Sequence, residues 1–263
     1  MLAVERGDHG AAIGLYEQAL AKHRELGHRI NEGGTLSNLG YAALMLGDYD
    51  AASAKFDAAR DLFARIGHRQ NEAITLINLG IARLNRGLPA DALSLGRQAL
   101  SMLHASRGRW AQGAALRLLG QAALSLSDLD TAGAHFEAAL TLFEELQSPH
   151  LALEAAAGLA AVALACGDLA SAQNRTEQIL DRLASGVSLE GTEEPMRVHL
   201  ICYQVLVATS DPRSALVLDS ACQILDACAK RISDPARRHT FLQQVPHHRD
   251  LVAARRATAV PAG

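Results

Sequence analysis

LSNLGYAALMLGDYDAASAKFDAARDLFARIG, residues 36–67, is the stretch on which the fold turns. Leu36, Leu39, Gly40, Ala43 and Leu46 fall at i, i+3, i+4, i+7 and i+10, which puts apolar or small groups on one face of a helix. Gly47-Asp48 breaks that helix: glycine takes the left-handed turn at its end, and aspartate caps the next start. Ala52, Phe56, Ala59, Leu62 and Phe63 give a second helix its buried face, and Ile66-Gly67 closes it. The stretch therefore reads as a helical hairpin. Gly40 and Ala52 mark where its helices cross, because a larger side chain there would push the backbones apart at a typical cost of ~1–3 kcal/mol.

Outward from this hairpin the pattern repeats. Ala12, Ala52, Ala92, Ala132 and Ala172 are spaced by 40 residues (52−12, 92−52, 132−92, 172−132). Tyr16, Phe56, Gly96, Phe136 and Thr176 keep the same beat, as do Leu39-Gly40, Leu79-Gly80, Leu119-Gly120 and Leu159-Ala160. Turn signals recur at Gly7-Asp8, Gly87-Leu88, Ser127-Asp128 and Gly167-Asp168. A fixed period of this size means stacked hairpins, so the expected fold is an all-α solenoid.

The small–aromatic–small order resembles the tetratricopeptide repeat family. Leu39-Gly40, Ala52, Phe56 and Ala59 carry it in the second repeat, and Leu119-Gly120, Ala132, Phe136 and Ala139 in the fourth. The 40-residue length is similar to the extended repeats of kinesin light chains and of the C-terminal regions of bacterial ATPase-, cyclase- or kinase-linked regulators. The resemblance implies a right-handed superhelix and a non-catalytic protein-binding role. Repeats are expected over 1–185, with the first one truncated. A loop is expected at 186–193, a sixth hairpin at 194–232, capping helices at 233–257 and a disordered tail at 258–263. In the sixth hairpin Ala215 should match Ala172 after a step of 43 (215−172), with three extra residues in the loop.

The chain's 28 acidic against 25 basic residues give a formal charge of −3, which provides no global attraction to nucleic acid or membrane. The run 151–166, LALEAAAGLAAVALAC, carries Glu154 and is too short and alanine-rich for a span, so it reads as a buried helix. Cys166, Cys202, Cys222 and Cys228 form no CxxC pair and read as reduced, mostly buried thiols of a cytoplasmic protein. No phosphate loop, HExxH or GxSxG is present, and neither cofactor nor metal is expected. His28 and His68 recur in Gly-His-Arg, where they are expected to cap the preceding helix; adjacent His247 and His248 point apart on a helix. Arginine fills 22 of the 25 basic positions (25 less Lys22, Lys55 and Lys230), as in GC-rich bacteria.

The first helix of each hairpin carries a second face apart from its core stripe. In the family this face lines the concave groove. By that resemblance the groove residues are Asn38, Tyr41, Met45, Ile77, Asn78, Ile81, Asn85, Arg117 and Gln121. Asn38 and Asn78 resemble asparagines that grip a bound peptide backbone, since an amide both donates and accepts. They serve equally well as bridges between neighbouring repeats. The mixed apolar and amide lining suits a hydrophobic peptide or helix. A small-ligand or signal-peptide sensor of a transcriptional regulator is the alternative. At the N-terminal end a helix without a hairpin partner should expose Ile13 and Leu20, so the chain is expected to be a monomer or to self-associate weakly there. The C-terminal run 234–251 should start a short helix at Asp234-Pro235, tuck Phe241 and Leu242 onto the last hairpin, and end at Pro246.

Overall fold

A computed structural model describes residues 9–104 and 108–259 of the chain. The expected turn at Gly7-Asp8 and residues 260–263 of the expected tail lie outside them. Among the described residues every regular element is a helix: α1 (His9–Glu25), α2 (Arg29–Met45), α3 (Tyr49–Arg65), α4 (Arg69–Asn85), α5 (Pro89–Leu103), α6 (Arg109–Ser125), α7 (Leu129–Glu145), α8 (Pro149–Ala165), α9 (Leu169–Ala184), α10 (Pro195–Ala208), α11 (Ser214–Lys230), α12 (Pro235–Gln243) and α13 (Pro246–Ala259). They fall into two compact units. One lies within Met1–Ala111 and Ala227–Pro246, the other within Gln112–Asp226 and His247–Gly263.

The turns set the metre. Gly27, Gly47, Gly67 and Gly87 have left-handed backbones 20 residues apart, and Ser127, Gln147 and Gly167 resume the count. Each 40-residue repeat is thus two helix-plus-turn halves of equal length. Asp48, Asp128 and Asp168 accept the backbone N–H of Ala51, Thr131 and Ser171, capping α3, α7 and α9 as their sequence position promised. His68 departs from expectation: its Nδ1 accepts the N–H of Asn71 at 3.4 Å, so it caps the following helix. His28 makes no side-chain cap. A histidine three residues ahead of an unpaired N–H sits where an Asx cap would, which explains the direction.

In the first unit Leu20 of α1 joins Leu36, Leu39, Ala59, Leu62 and Phe63, with Ile13 and Tyr16 packed against them. Leu20 is only 6% exposed, against the expectation for a helix lacking its hairpin partner. The reason is that α1 stacks on α2 as the second helix of any preceding repeat would, leaving Leu15 on its outer side at 60% exposure. Gly40 is small because of Phe56: a Cβ there would lie 2.7 Å from the ring. In the second unit Phe136 presses on Gly120 of its own hairpin and on Gly158 of the next, so this ring spans the gap between hairpins. Replacing either glycine forces the ring to move.

The last elements depart from the sequence reading. Ser210 takes the left-handed turn, but Asp211 holds an extra turn through the N–H of Arg213, so α11 starts late. Ala215 is therefore exposed, and Leu218, Ala221, Cys222 and Leu225 point inward instead. Asp234 caps α12 through Ala236 and Arg237. Pro246 does not end a helix; it begins α13, which continues to Ala259 through the start of the expected tail. Within the first unit, the chain after α12 meets the α2–α3 turn: Tyr49 Oη donates to the carbonyl of Gln244, 195 residues away, at 3.4 Å. Within the second unit, α13 packs on α11, with Arg255 bridging to Asp226 at 2.7 Å and Leu251 buried.

Candidate functional site

The face carried by the first helix of each hairpin is built by α2 and α4 in the first unit and by α6 and α8 in the second. On α2, Asn38 is exposed and Tyr41 and Met45 are half-buried; on α4, Asn78 and Asn85 are half-buried. Ile77 and Ile81 differ from expectation, being 2% and 1% exposed. They follow the core because β-branched side chains fill the space between stacked repeats more cheaply than they face water. Beside the asparagines, Ser37 and Thr75 link α2 to α4 at 3.2 Å. The Thr75 hydroxyl already gives its proton to the carbonyl of Asn71 at 2.8 Å, so Ser37 is the donor. This hydroxyl pair bridges the two repeats beside the asparagines.

A separate open cleft of about 560 Å³ lies at the ends of these helices, lined by His28, Arg29, Ile30, Asn31, Ile66, Gly67 and His68. It brings together no acid and base around a common point.

The same face in the second unit is closed. Arg117 and Gln121 on α6 are 2% and 4% exposed. Arg117 meets Glu154 of α8 at 3.3 Å, Glu194 at 3.5 Å, and Glu193 closest of all. Glu194 also accepts from Gln121 Nε2 at 2.8 Å and from Arg197 of α10 at 3.2 Å, while its backbone N–H donates to Glu154 at 2.9 Å. Glu193 and Glu194 end the segment 185–194, which the sequence marks only as a polar loop. The segment is not merely solvated: Val187 and Leu189 pack against the cluster formed by Leu153, Ala157, Ile179, Val198 and Ile201.

The electrostatics are tight. Burial works against the Arg117 cation, but its three glutamates outweigh that and raise its pKa. Burial also opposes ionised Glu194, yet Arg197, His247 and Arg117 bring its pKa down to about 2. Glu193 shifts the other way, pushed up by burial and by its carboxylate neighbours. His247 is held near pKa 4, chiefly by burial. It lies edge-on to His248 with ring centroids 4.6 Å apart. Among the described residues no group of three His, Cys, Asp or Glu could hold a metal ion.

All four cysteines are free; Cys202 and Cys222 are buried, whereas Cys166 is exposed. No helix among the described residues is long and apolar enough to cross a membrane, and Leu151–Leu153 of the apolar run are buried in α8.

Comparison with known proteins agrees with this architecture. The model of the family described as MalT-like TPR region matches residues 1–231. No curated protein matches the chain. Among solved structures, a Rap protein complexed with competence and sporulation factor superposes with a TM-score of 0.68 at 16% identity, covering 97% of this chain and 72% of that one. The apo form of RapI gives 0.64 at 14% identity, covering 98% and 95%. BtubC from P. vanneervenii gives 0.65 at 15% identity, covering 86% and 94%. At these identities the likeness is one of fold.

Proposed function

The chain belongs to the MalT-like TPR region family, and from that premise we propose that it is a non-catalytic module holding a peptide or partner protein along its first-helix faces. The observation that carries this reading is the face of α2 and α4. There Asn38, Tyr41, Met45, Asn78 and Asn85 retain solvent access beside the buried stripe formed by Leu36, Leu39, Leu76 and Leu79. Amides on successive repeats offer a donor and an acceptor to an extended backbone whatever its sequence, and Tyr41 and Met45 add adaptable apolar contact. A Rap protein of similar fold is known in complex with competence and sporulation factor, which supports a regulatory or sensing role here, in a bacterial signalling protein of the cytoplasm. The module acts as a monomer or a weakly associating one.

A peptide selected from an extended-peptide library on the full chain tests this. The Asn38→Ala/Asn78→Ala double variant is expected to bind it at least tenfold more weakly while melting at the same temperature. Unchanged affinity would refute the assignment of this face.

A further inference from the structure

The face of α6 and α8 has an occupant, and the occupant is part of the chain. Segment 185–194 comes from a place where the 40-residue beat breaks, stretching to 43 between Gly167-Asp168 and Ser210-Asp211 (210−167). It delivers two successive carboxylates to Arg117, Gln121 and Arg197, residues of helices on either side of the α8–α9 hairpin. Its fit is incomplete in two ways. Three carboxylates, those of Glu154 and Glu194 buried and that of Glu193 half-buried, share two guanidiniums, and Gln121 donates its amide N–H while its buried carbonyl oxygen has no partner. A cavity of about 10 Å³, no larger than one water, lies between Gln121, Glu154, Glu194 and Arg197. An ion cluster of unequal charge is a poor stabiliser compared with an apolar contact of equal volume. The segment also carries two glycines in left-handed backbone, Gly186 and Gly191, with φ of +98° and +84° and open space beside both α-carbons.

We propose that segment 185–194 is an internal pseudo-ligand, holding the place of an extended peptide with two adjacent acidic side chains on the α6–α8 face and swinging out on its glycines to admit one. Arg117 and Arg197 take the incoming carboxylates, and Gln121, whose carbonyl the segment leaves unpaired, takes a backbone N–H from the peptide. The proposal rests on the reading that first-helix faces receive a partner chain. It concerns a different pair of helices, so the Asn38/Asn78 measurement can fail while this one stands, and the reverse.

Hydrogen exchange on the full chain tests the hinge, with the Glu194 amide, bound to Glu154, as a reporter. Amides of 186–194 should exchange at least tenfold faster than those of α8 and α10. The second measurement uses the blocked decapeptide SGVSLEGTEE and a counterpart with its glutamates replaced by glutamine. The acidic peptide should bind the Glu193→Gln/Glu194→Gln chain at least tenfold more tightly than the natural chain, and the neutral counterpart should not bind. Exchange of the segment only together with α8 and α10 overturns the proposal. So does equal binding, or none, by the two peptides.

Discussion

On α2 and α4 the first-helix face carries Asn38, Tyr41 and Asn78 with access to solvent; on α6 the same face carries Arg117 and Gln121, two 40-residue steps after Ser37 and Tyr41, sealed under Glu193 and Glu194. One repeat architecture thus gives two surfaces of opposite character. The difference comes from chain length as much as from side chains. A helix-plus-turn of 20 residues leaves nothing over to fold back, whereas the longer step before α10 supplies a segment that reaches α6. In a repeat protein an insertion is therefore a candidate occupant for its neighbours' faces.

The largest test of this contrast is a matched pair of substitutions. Arg117→Met leaves buried Glu154 and Glu194 and half-buried Glu193 without their shared cation, and should cost about 3–5 kcal/mol of folding stability. Asn38→Ala, at an exposed position, should stay within about 0.5 kcal/mol. Urea unfolding of both variants checks this. Comparable losses would mean that the two faces are not different in kind.

Acid should act on the second unit chiefly through His247 and Glu194. His247 has a folded pKa of about 4, below its ordinary 6.5, so the unfolded chain protonates first on acidification. Its contribution, on the order of 3 kcal/mol at most, is present above pH 6.5 and is lost as the pH falls toward 4. Glu194, at about 2, adds a further loss as the pH drops below the ordinary carboxylate range. Glu193 opposes them: its raised pKa favours the folded state at low pH, and that advantage fades as the pH rises through the folded value. His199, lowered by its own burial, adds to the first slope. The difference in stability between the natural chain and His247→Gln, followed from pH 7 to 4, should shrink steadily. A constant difference would remove His247 from the cluster's energetics.

Glu194→Gln and Glu193→Gln separate the two carboxylates further. Glu194 holds three side-chain donors and its amide replacement should cost about 1–3 kcal/mol. Glu193→Gln removes the surplus negative charge and should cost less, as equilibrium unfolding near neutral pH would reveal. A larger loss at position 193 would mean that its contact with Arg117, not Glu194's, anchors the segment.

Local signals made the hairpins readable: apolar spacing, Gly-Asp turns and the small residues that meet Phe56 and Phe136 all lie within one or two repeats of each other. The closed face was half legible. Arg117 stands out in sequence as the one basic residue among the face positions considered, and Glu193-Glu194 sits before Pro195 where the beat fails. Their pairing joins positions 76 residues apart, and a periodicity argument connects only equivalent positions. The landing of Gln244 and Val245 beside Gly47 and Tyr49 escaped for the same reason. Ala215 misled because an Asp-Pro-Arg turn, invisible to residue matching, delays the start of α11 to Ser214 and leaves the alanine exposed in its first turn.

The smallest expected effect concerns the turns of the two units. In the first, the described left-handed positions at 27, 47, 67 and 87 are all glycine; in the second, Ser127 and Gln147 hold φ of 61° and 52°. A side chain there strains the backbone by roughly 1–2 kcal/mol, while glycine gives back roughly 0.5–1 kcal/mol through its freer unfolded chain. Gln147→Gly should therefore stabilise the protein by less than about 1 kcal/mol. Gly67→Ala should cost a similar amount, because nothing lies within 4 Å of its added Cβ and backbone strain is then the whole effect. Thermal melts of the two variants should shift in opposite directions. A shift of the same sign would mean that the turn at Gln147 is held by contacts glycine cannot replace, and that the second unit's turns, like its first-helix face, are fixed by side chains rather than by backbone alone.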